Sequence, residues 1–136
     1  MAASEDYPEG LKYHREHDWA KLIEGDEATV EALLGVTWFA QDALGELVHF
    51  EPPSEGSSTA KDSSYGEVES VKAVSDVIAP LSGEILEVNQ RVIDAPETVN
   101  EDPYGEGWLV RIRLSDPSEV DSLLAPDAYK QFISEQ

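Results

Sequence analysis

The sequence contains no cysteine, and this absence excludes several kinds of chemistry at once. Disulfide bonds, thiolate nucleophiles and cysteine-based metal sites are ruled out, and a reducing, intracellular location would be unremarkable. No stretch of the chain approaches the ~18 consecutive apolar residues of a membrane-spanning helix. The first six residues end in two acidic side chains and carry no basic targeting pattern. We therefore expect a cytoplasmic protein without a membrane anchor.

Basic residues are scarce: Lys and Arg total 9 against 29 Asp and Glu, which gives a formal net charge of −20. This charge argues against nucleic acid and anionic membranes as partners, because both would repel the chain. Two interpretations remain open. The charge keeps the protein soluble and monomeric, or it steers the protein toward basic partner surfaces. Charge alone does not choose between them, and we expect a monomer.

The length of 136 residues, with 40% hydrophobic residues and three Trp, predicts a single domain with a real core. We expect this domain to span residues 1–136, with residues 1–9 frayed. Within it, short strands separated by turn residues dominate, and helices are few. The pattern is typical of an α+β, mainly β fold.

The predicted elements follow from local patterns along the chain. Thr37 is placed to cap a short helix that Gly45 ends, and Pro117 and Pro126 are placed to begin two helices near the C-terminus. Strands or strand-like segments are predicted at residues 11–22, 28–34, 47–50, 65–70, 73–79, 83–88 and 107–114. A turn is predicted at residues 25–26, and residues 54–64 and 100–107 are predicted as loop, edge or turn segments.

Lys72 is the most informative residue, because it lies at the middle of a strand–turn–strand pattern. A lysine on a hairpin tip presents its amine to solvent, where a modifying enzyme could acylate it. Nearby valines, with Val71 and Val74 among them, are predicted to anchor the two arms, and Ala73 is too small to shield the amine. An ordinary lysine on a turn is the alternative, and spacing alone favours it.

Sequence motifs on both sides of Lys72 change that balance. They are Val-Glu-Ser-Val-Lys-Ala-Val-Ser-Asp at residues 68–76, Ala-Pro-Leu-Ser-Gly-Glu at 79–84, Glu-Val-Asn at 87–89 and Pro-Glu-Thr-Val-Asn-Glu-Asp-Pro-Tyr-Gly-Glu-Gly-Trp-Leu at 96–109. Upstream are His-Arg-Glu-His-Asp-Trp at 14–19 and Gly-Val-Thr-Trp-Phe-Ala-Gln-Asp-Ala-Leu-Gly-Glu-Leu-Val at 35–48. In this order, they resemble the glycine cleavage system H-protein family over nearly the whole chain.

The resemblance implies a fold and a set of site residues. The fold would be a barrel-sandwich hybrid with the lipoyl/biotinyl hammerhead core and short helices near residue 40 and at the C-terminus. Lys72 matches the lysine that carries lipoate as an amide. Glu69 and Gly83 match positions tied to recognition by lipoylating enzymes. Glu16 and His17 are expected to help line the cleft that shelters the loaded arm.

The resemblance also implies a function and partners. The chain would be a carrier, not an enzyme. On lipoyl-Lys72 it would shuttle the aminomethyl group from the pyridoxal-phosphate-dependent glycine decarboxylase to the tetrahydrofolate-dependent aminomethyltransferase. Dihydrolipoyl dehydrogenase would reoxidise the dithiol, and lipoylating enzymes would attach the lipoate. An H-like relay carrier, serving other lipoate-dependent complexes or sulfur metabolism, is the alternative role.

Two departures from the family pattern occur early in the chain. Trp38 and Phe39 stand where the family usually has Asp followed by an aromatic residue, and residues 31–34 are more apolar than expected. Neither departure involves Lys72, so they bear on partner contacts near the early helix.

Other classes of function have weaker support. A biotinyl carrier resembles Met-Lys-Met at the tip, whereas the only Met here is Met1. The lipoyl domains of 2-oxoacid dehydrogenase complexes are shorter and tethered by flexible linkers. His14 and His17 suggest a metal site only weakly, because strand geometry would point them to opposite faces. A Ser70–Lys72 catalytic pair lacks a third group, and no P-loop or dinucleotide fingerprint is present.

Overall fold

A computed structural model of the chain describes residues 7–24 and 30–135. Two antiparallel β-sheets form the body, with short helices at their edges. The predicted turn at residues 25–26 and the start of the strand predicted at 28–34 lie outside the described residues. Within the described part of the chain, no helix is long and apolar enough to cross a membrane.

The larger sheet has six strands in the order β1-β2-β3-β9-β8-β5. Its strands are β1 (Lys12–His14), β2 (Asp18–Glu24), β3 (Val30–Val36), β5 (Ser58–Thr59), β8 (Gly83–Val88) and β9 (Val110–Leu114). The two-residue strand β5 lies at the edge, within the segment predicted as a loop or edge.

The smaller sheet has three strands in the order β4-β6-β7, and its last two strands form the hairpin that carries Lys72. Its strands are β4 (Leu47–Glu51), β6 (Ser64–Ser70) and β7 (Val74–Ile78). Exposed and buried residues alternate along β6 from Glu67 to Ser70, so one face of this sheet is turned to the core and the other to solvent.

Four α-helices and one 3₁₀ helix are described. They are α1 (Trp38–Leu44), α2 (Gln90–Asp94), α3 (Thr98–Glu101), the 3₁₀ helix (Pro117–Ser122) and α4 (Pro126–Ser134). The prediction of α1 is confirmed: Thr37 Oγ1 accepts a hydrogen bond from the Ala40 N–H, and Gly45 ends the helix with a left-handed φ of 85°. The first predicted C-terminal helix is a 3₁₀ helix, and α4 confirms the second.

Three predictions of secondary structure need correction. The strand-like segment predicted at residues 11–22 is two strands, β1 and β2, separated by a turn at residues 15–17. The strand expected at residues 107–114 begins only at Val110, because the Gly107 N–H donates to the Asp102 carbonyl (2.9 Å) and the preceding residues form a turn. The sequence patterns do not predict helices α2 and α3, and α3 extends into the turn segment predicted at residues 100–107.

The main core lies between the inward faces of the two sheets. Val68 and Val77 from the small sheet contribute to the same buried cluster as Leu34, Ile85 and Ile112 from the large sheet. This packing fixes the β6–β7 hairpin at its base. The fold confirms the predicted mainly β, lipoyl-domain-like barrel-sandwich.

A second buried cluster attaches the C-terminal helix to the larger sheet. Tyr13 and Tyr129 stack with ring centroids 4.9 Å apart, and both are buried together with Leu11 and Trp19. The β1 backbone is also bonded to the segment before α4, since Tyr13 and Leu124 exchange two backbone hydrogen bonds of 2.8 Å. The C-terminal segment is therefore an integral part of the fold.

Candidate functional site

The tip of the β6–β7 hairpin is a tight turn with Val71 and Lys72 at its centre. The turn is closed by the Ser70 N–H, which donates to the Ala73 carbonyl (2.8 Å). The buried Ser70 hydroxyl oxygen also accepts from the backbone N–H groups of Lys72 (3.3 Å) and Ala73 (3.1 Å). Ser70 therefore holds the turn in one shape, and its hydroxyl acts as a local cap for the turn.

Lys72 is exposed at this tip. Its stem passes over the end of α1, where a Cβ added to Gly45 would lie 3.7 Å from Lys72 Cε. Among the ion pairs formed by the described residues, none involves Lys72. The amine is therefore presented to solvent on a rigid support.

The valines around Lys72 divide into two pairs, and this corrects the expectation that all of them anchor the hairpin. Val68 and Val77 are each 1% exposed and do anchor it, whereas Val71 is 84% exposed and Val74 is 58% exposed. Val71 lies in the turn, and Val74 lies opposite Glu69 on the outer face of the sheet. The tip is thus apolar as well as accessible.

Glu69 lies on the outer face of the small sheet. In the strand register it stands between His49 of β4 and Val74 of β7, and it is exposed. The structure thus brings Glu69 close to the lysine-bearing turn, on the surface that an approaching enzyme would meet.

Gly83 lies in the other sheet, at the start of β8, where it pairs with Thr59 and Leu114. A Cβ at this position would overlap the Arg113 carbonyl oxygen and lie 3.1 Å from Ile112 Cδ1. Its φ is not in the left-handed region, so no turn conformation requires glycine here. Glycine is required here because the neighbouring backbone leaves no space for a side chain.

Glu16 and His17 occupy different environments. Glu16 lines a groove of about 540 Å³ between β1, the loop at residues 61–62 and the 3₁₀ helix. His17 is not among the residues that line the groove; it stacks on Phe39 with ring centroids 4.4 Å apart, and its Nδ1 lies 2.8 Å from the Tyr129 hydroxyl. The far end of β7, at Ile78, also lines the groove, about 20 Å along the strand from Lys72.

The groove contains a paired histidine and aspartate. The Glu16 N–H donates to His14 Nδ1 (3.0 Å), so His14 Nε2 carries the proton that it shares with Asp62 Oδ1 at 2.6 Å. This hydrogen bond from His14 is the main reason that the pKa of Asp62 is lowered. His14 and His17 thus engage different partners, and no cluster suited to a metal ion occurs among residues 7–24 and 30–135.

A buried Asp18 near Tyr65 was not singled out from the sequence. Asp18 is 2% exposed, and burial raises the pKa of its carboxyl well above the usual range, although a backbone hydrogen bond from Ile78 opposes this shift. The buried Tyr65 hydroxyl has no hydrogen-bond partner among the residues that the structure describes, and burial together with the charge of Asp18 raises its pKa. Side chains alternate between the two faces of β2, so Asp18 shares a face with Ala20, which lies in the core. This alternation is the sequence signal that could identify Asp18 as buried.

These features define a class of protein. A two-sheet barrel-sandwich that presents an accessible lysine on a rigid hairpin tip is a carrier domain of the lipoyl type. The nearby glutamate and apolar tip belong to the same surface.

Comparison with known proteins identifies the family. The family described as glycine cleavage H-protein matches residues 11–136. The glycine cleavage system H protein of Carboxydothermus hydrogenoformans is 45% identical, covering 95% of both chains. That of Anaeromyxobacter sp. (strain K) is 49% identical, covering 95% of this chain and 97% of the other. The crystal structure of a glycine cleavage system H protein from Mycobacterium marinum has a TM-score of 0.83 and 38% identity, covering 94% of this chain and 99% of the other.

The chain belongs to the glycine cleavage H-protein family. Membership over nearly the whole chain confirms the predicted lipoyl-carrier role in the glycine cleavage system and does not favour the relay alternative. It also implies partner enzymes such as the decarboxylase and the aminomethyltransferase of that system.

Proposed function

We propose that this chain is a noncatalytic carrier and that Lys72 is the residue to which its lipoate is attached as an amide. The observation that carries the proposal is the exposed lysine on a turn held by Ser70, in a chain of this family. Lipoate, when attached, supplies a dithiolane ring that opens to a dithiol and supports group transfer and redox chemistry.

Lys72 suits this attachment on physical grounds. Its amine is exposed and forms none of the ion pairs found among the described residues, so acylation breaks no such interaction. Amide formation would remove one positive charge and take the formal net charge from 9 − 29 = −20 to 8 − 29 = −21. The exposed Val71 and Val74 give the apolar part of an acyl arm a compatible surface.

The chain's own part in the reaction cycle is to position the arm. Its proposed partners are glycine decarboxylase, aminomethyltransferase, dihydrolipoyl dehydrogenase and a lipoylating enzyme, each of which would act on the same tip in turn. Carriage on one cytoplasmic domain, spanning residues 1–136, keeps the reactive group at a high effective concentration beside each docked enzyme.

The other site residues have supporting roles in this proposal. Glu69 is proposed to mark the hairpin for a basic enzyme surface, since it is exposed near Lys72. Gly83 is proposed to act on recognition through the packing of β8 against β9. Glu16 is proposed to line the cleft that shelters the loaded arm, with His17 supporting that segment through Tyr129.

Substitution of Lys72 tests the proposal. Lys72→Arg keeps the positive charge but removes the acylatable amine, so the variant should fold normally and fail to support glycine cleavage with the three partner enzymes. Lys130→Arg, at another exposed lysine, is the matched control and should retain activity. Glycine cleavage by the Lys72→Arg variant at the wild-type rate would overturn the proposal.

A further inference from the structure

The two sheets arrange their outward-facing acidic residues in different ways. In the six-stranded sheet, Arg113 stands in register between Glu31 and Glu84, so the row across three strands reads acid, base, acid. Arg113 pairs with Glu84, and Arg111 pairs with Glu31 (2.8 Å) and Glu87 (3.2 Å). Each of these three carboxylates therefore has an arginine within reach, and such cross-strand pairs of opposite charge are stabilising.

The small sheet carries the equivalent row without its base. Glu51, Glu67 and Asp76 stand directly opposite one another on β4, β6 and β7, and all three are exposed. Among the described residues, the only ion pair of this row joins Glu51 at its end to His49 (3.0 Å). Like charges directly opposite on neighbouring strands repel, so this row costs stability that the other sheet avoids.

Exposed apolar side chains accompany this acidic row. Four large apolar residues are exposed in the described part of the chain, and three of them, Val48, Val71 and Val74, belong to this sheet or its turn. Val74 lies opposite Glu69, two residues along the strands from the row and on the same face of the sheet. Apolar side chains that share a surface with unneutralised charge are typical of a surface that a protein partner covers.

We propose that the outer face of the β4-β6-β7 sheet is the docking surface for the enzyme that acylates Lys72. Lysine or arginine side chains of that enzyme supply, beside Glu67, the positive charge that Arg113 supplies in the other sheet. An apolar surface of the enzyme covers Val71 and Val74. This inference rests on the proposed function, because it requires that Lys72 be acylated.

Charge complementarity identifies the partner. Acyl donors for amide formation at a lysine, such as an acyl adenylate made from ATP, are anionic, so an enzyme that holds one has a cationic site. The acidic row lies on the outer face of the hairpin whose turn contains Lys72. It would draw that cationic site toward the lysine and hold it in one orientation, with an effect that salt weakens.

A paired set of charge-neutralising variants tests this proposal. Glu67→Gln/Asp76→Asn removes two carboxylates from the row and leaves Glu69 and Lys72 intact. Glu97→Gln/Asp121→Asn removes two exposed carboxylates elsewhere and gives the same net charge. The kinetics of lipoylation by a purified lipoate ligase, with lipoate and ATP, are measured for each chain at low and high salt.

We expect the row variant to raise KM by roughly fivefold or more at low salt with kcat unchanged, and the control to match wild type. The Tm of the row variant should not fall, which distinguishes docking from a structural role. Glu67→Arg, which recreates the acid–base–acid row of the other sheet, should raise both Tm and KM.

Two results would overturn the inference, and they are distinguishable. If wild type is lipoylated on Lys72 and every variant has the wild-type KM, the docking surface is wrong and the proposed function stands. If wild type is not modified on Lys72 by a ligase that modifies another carrier, the proposed function fails and the inference fails with it.

Discussion

Replacing Gly83 with alanine should destabilise the fold by about 3 kcal/mol, a value toward the upper end for an added methyl group in a packed region. The new Cβ would overlap the Arg113 carbonyl oxygen and lie 3.0 Å from its carbonyl carbon. The β9 backbone cannot move aside alone, because it is hydrogen-bonded to β3 on one side and β8 on the other. Relief therefore requires a shift of several strands.

Thermal unfolding of the purified chain measures this effect. For a domain of this size, about 3 kcal/mol corresponds to a fall in Tm of roughly 10 °C. Gly10→Ala is the matched control, because a Cβ at Gly10 meets nothing within 4 Å, and its Tm should stay near that of wild type. A Tm for Gly83→Ala within about 2 °C of wild type would refute the packing argument.

Three further predictions concern residues on other parts of the molecule. Burial raises the pKa of Asp18 above its ordinary 3.8, so the folded state is favoured while this carboxyl is protonated. That contribution to stability is lost as pH rises through the folded-state pKa. Wild type should therefore lose Tm relative to Asp18→Asn as pH increases from about 4, and parallel pH profiles would contradict this. Tyr129→Phe removes hydrogen bonds to Thr37 (2.9 Å) and His17 (2.8 Å) and should cost about 1–2 kcal/mol in urea unfolding; no loss would show that these bonds contribute nothing net. Glu69→Ala should lower the rate of lipoylation and have little effect on Tm. A lower Tm with an unchanged rate of lipoylation would make Glu69 structural.

Local sequence signals predicted α1 and the lysine-bearing hairpin. Thr37 and Gly45 carry the information needed to begin and end a helix, since each acts on backbone groups within a few residues. The strands of the hairpin alternate in burial, and the turn residues stand between them. Such elements are predictable because the interactions that specify them are close in sequence.

The short helices and the exposed valines were beyond local reasoning. Helices α2 and α3 have five and four residues, too few to show a helical period in the apolar pattern. Hydrophobicity usually indicates burial and so predicts Val71 and Val74 as anchors, yet Val71 lies in the turn and the hairpin register places Val74 on the outer face. A one-residue difference in register exchanges the two faces of a strand, and composition does not reveal it.

The roles of Gly83 and Asp18 depend on contacts between distant segments. The backbone that excludes a side chain at Gly83 belongs to Arg113, and the backbone group that meets Asp18 belongs to Ile78. The alternation along β2 indicates that Asp18 is buried, but the sequence near Asp18 or Gly83 does not indicate which distant segment each residue contacts. The family resemblance pointed to Gly83 without giving the reason, and the structure supplies a reason in packing.

Mass spectrometry of the purified chain shows whether Lys72 carries the lipoyl group. Intact mass of the purified chain is recorded before and after incubation with a lipoate ligase, lipoate and ATP, and tryptic mapping locates the modification. We expect a single lipoyl group on Lys72 in wild type and none in Lys72→Arg. No addition to wild type, under conditions that modify a control carrier, or addition at another lysine, would contradict it.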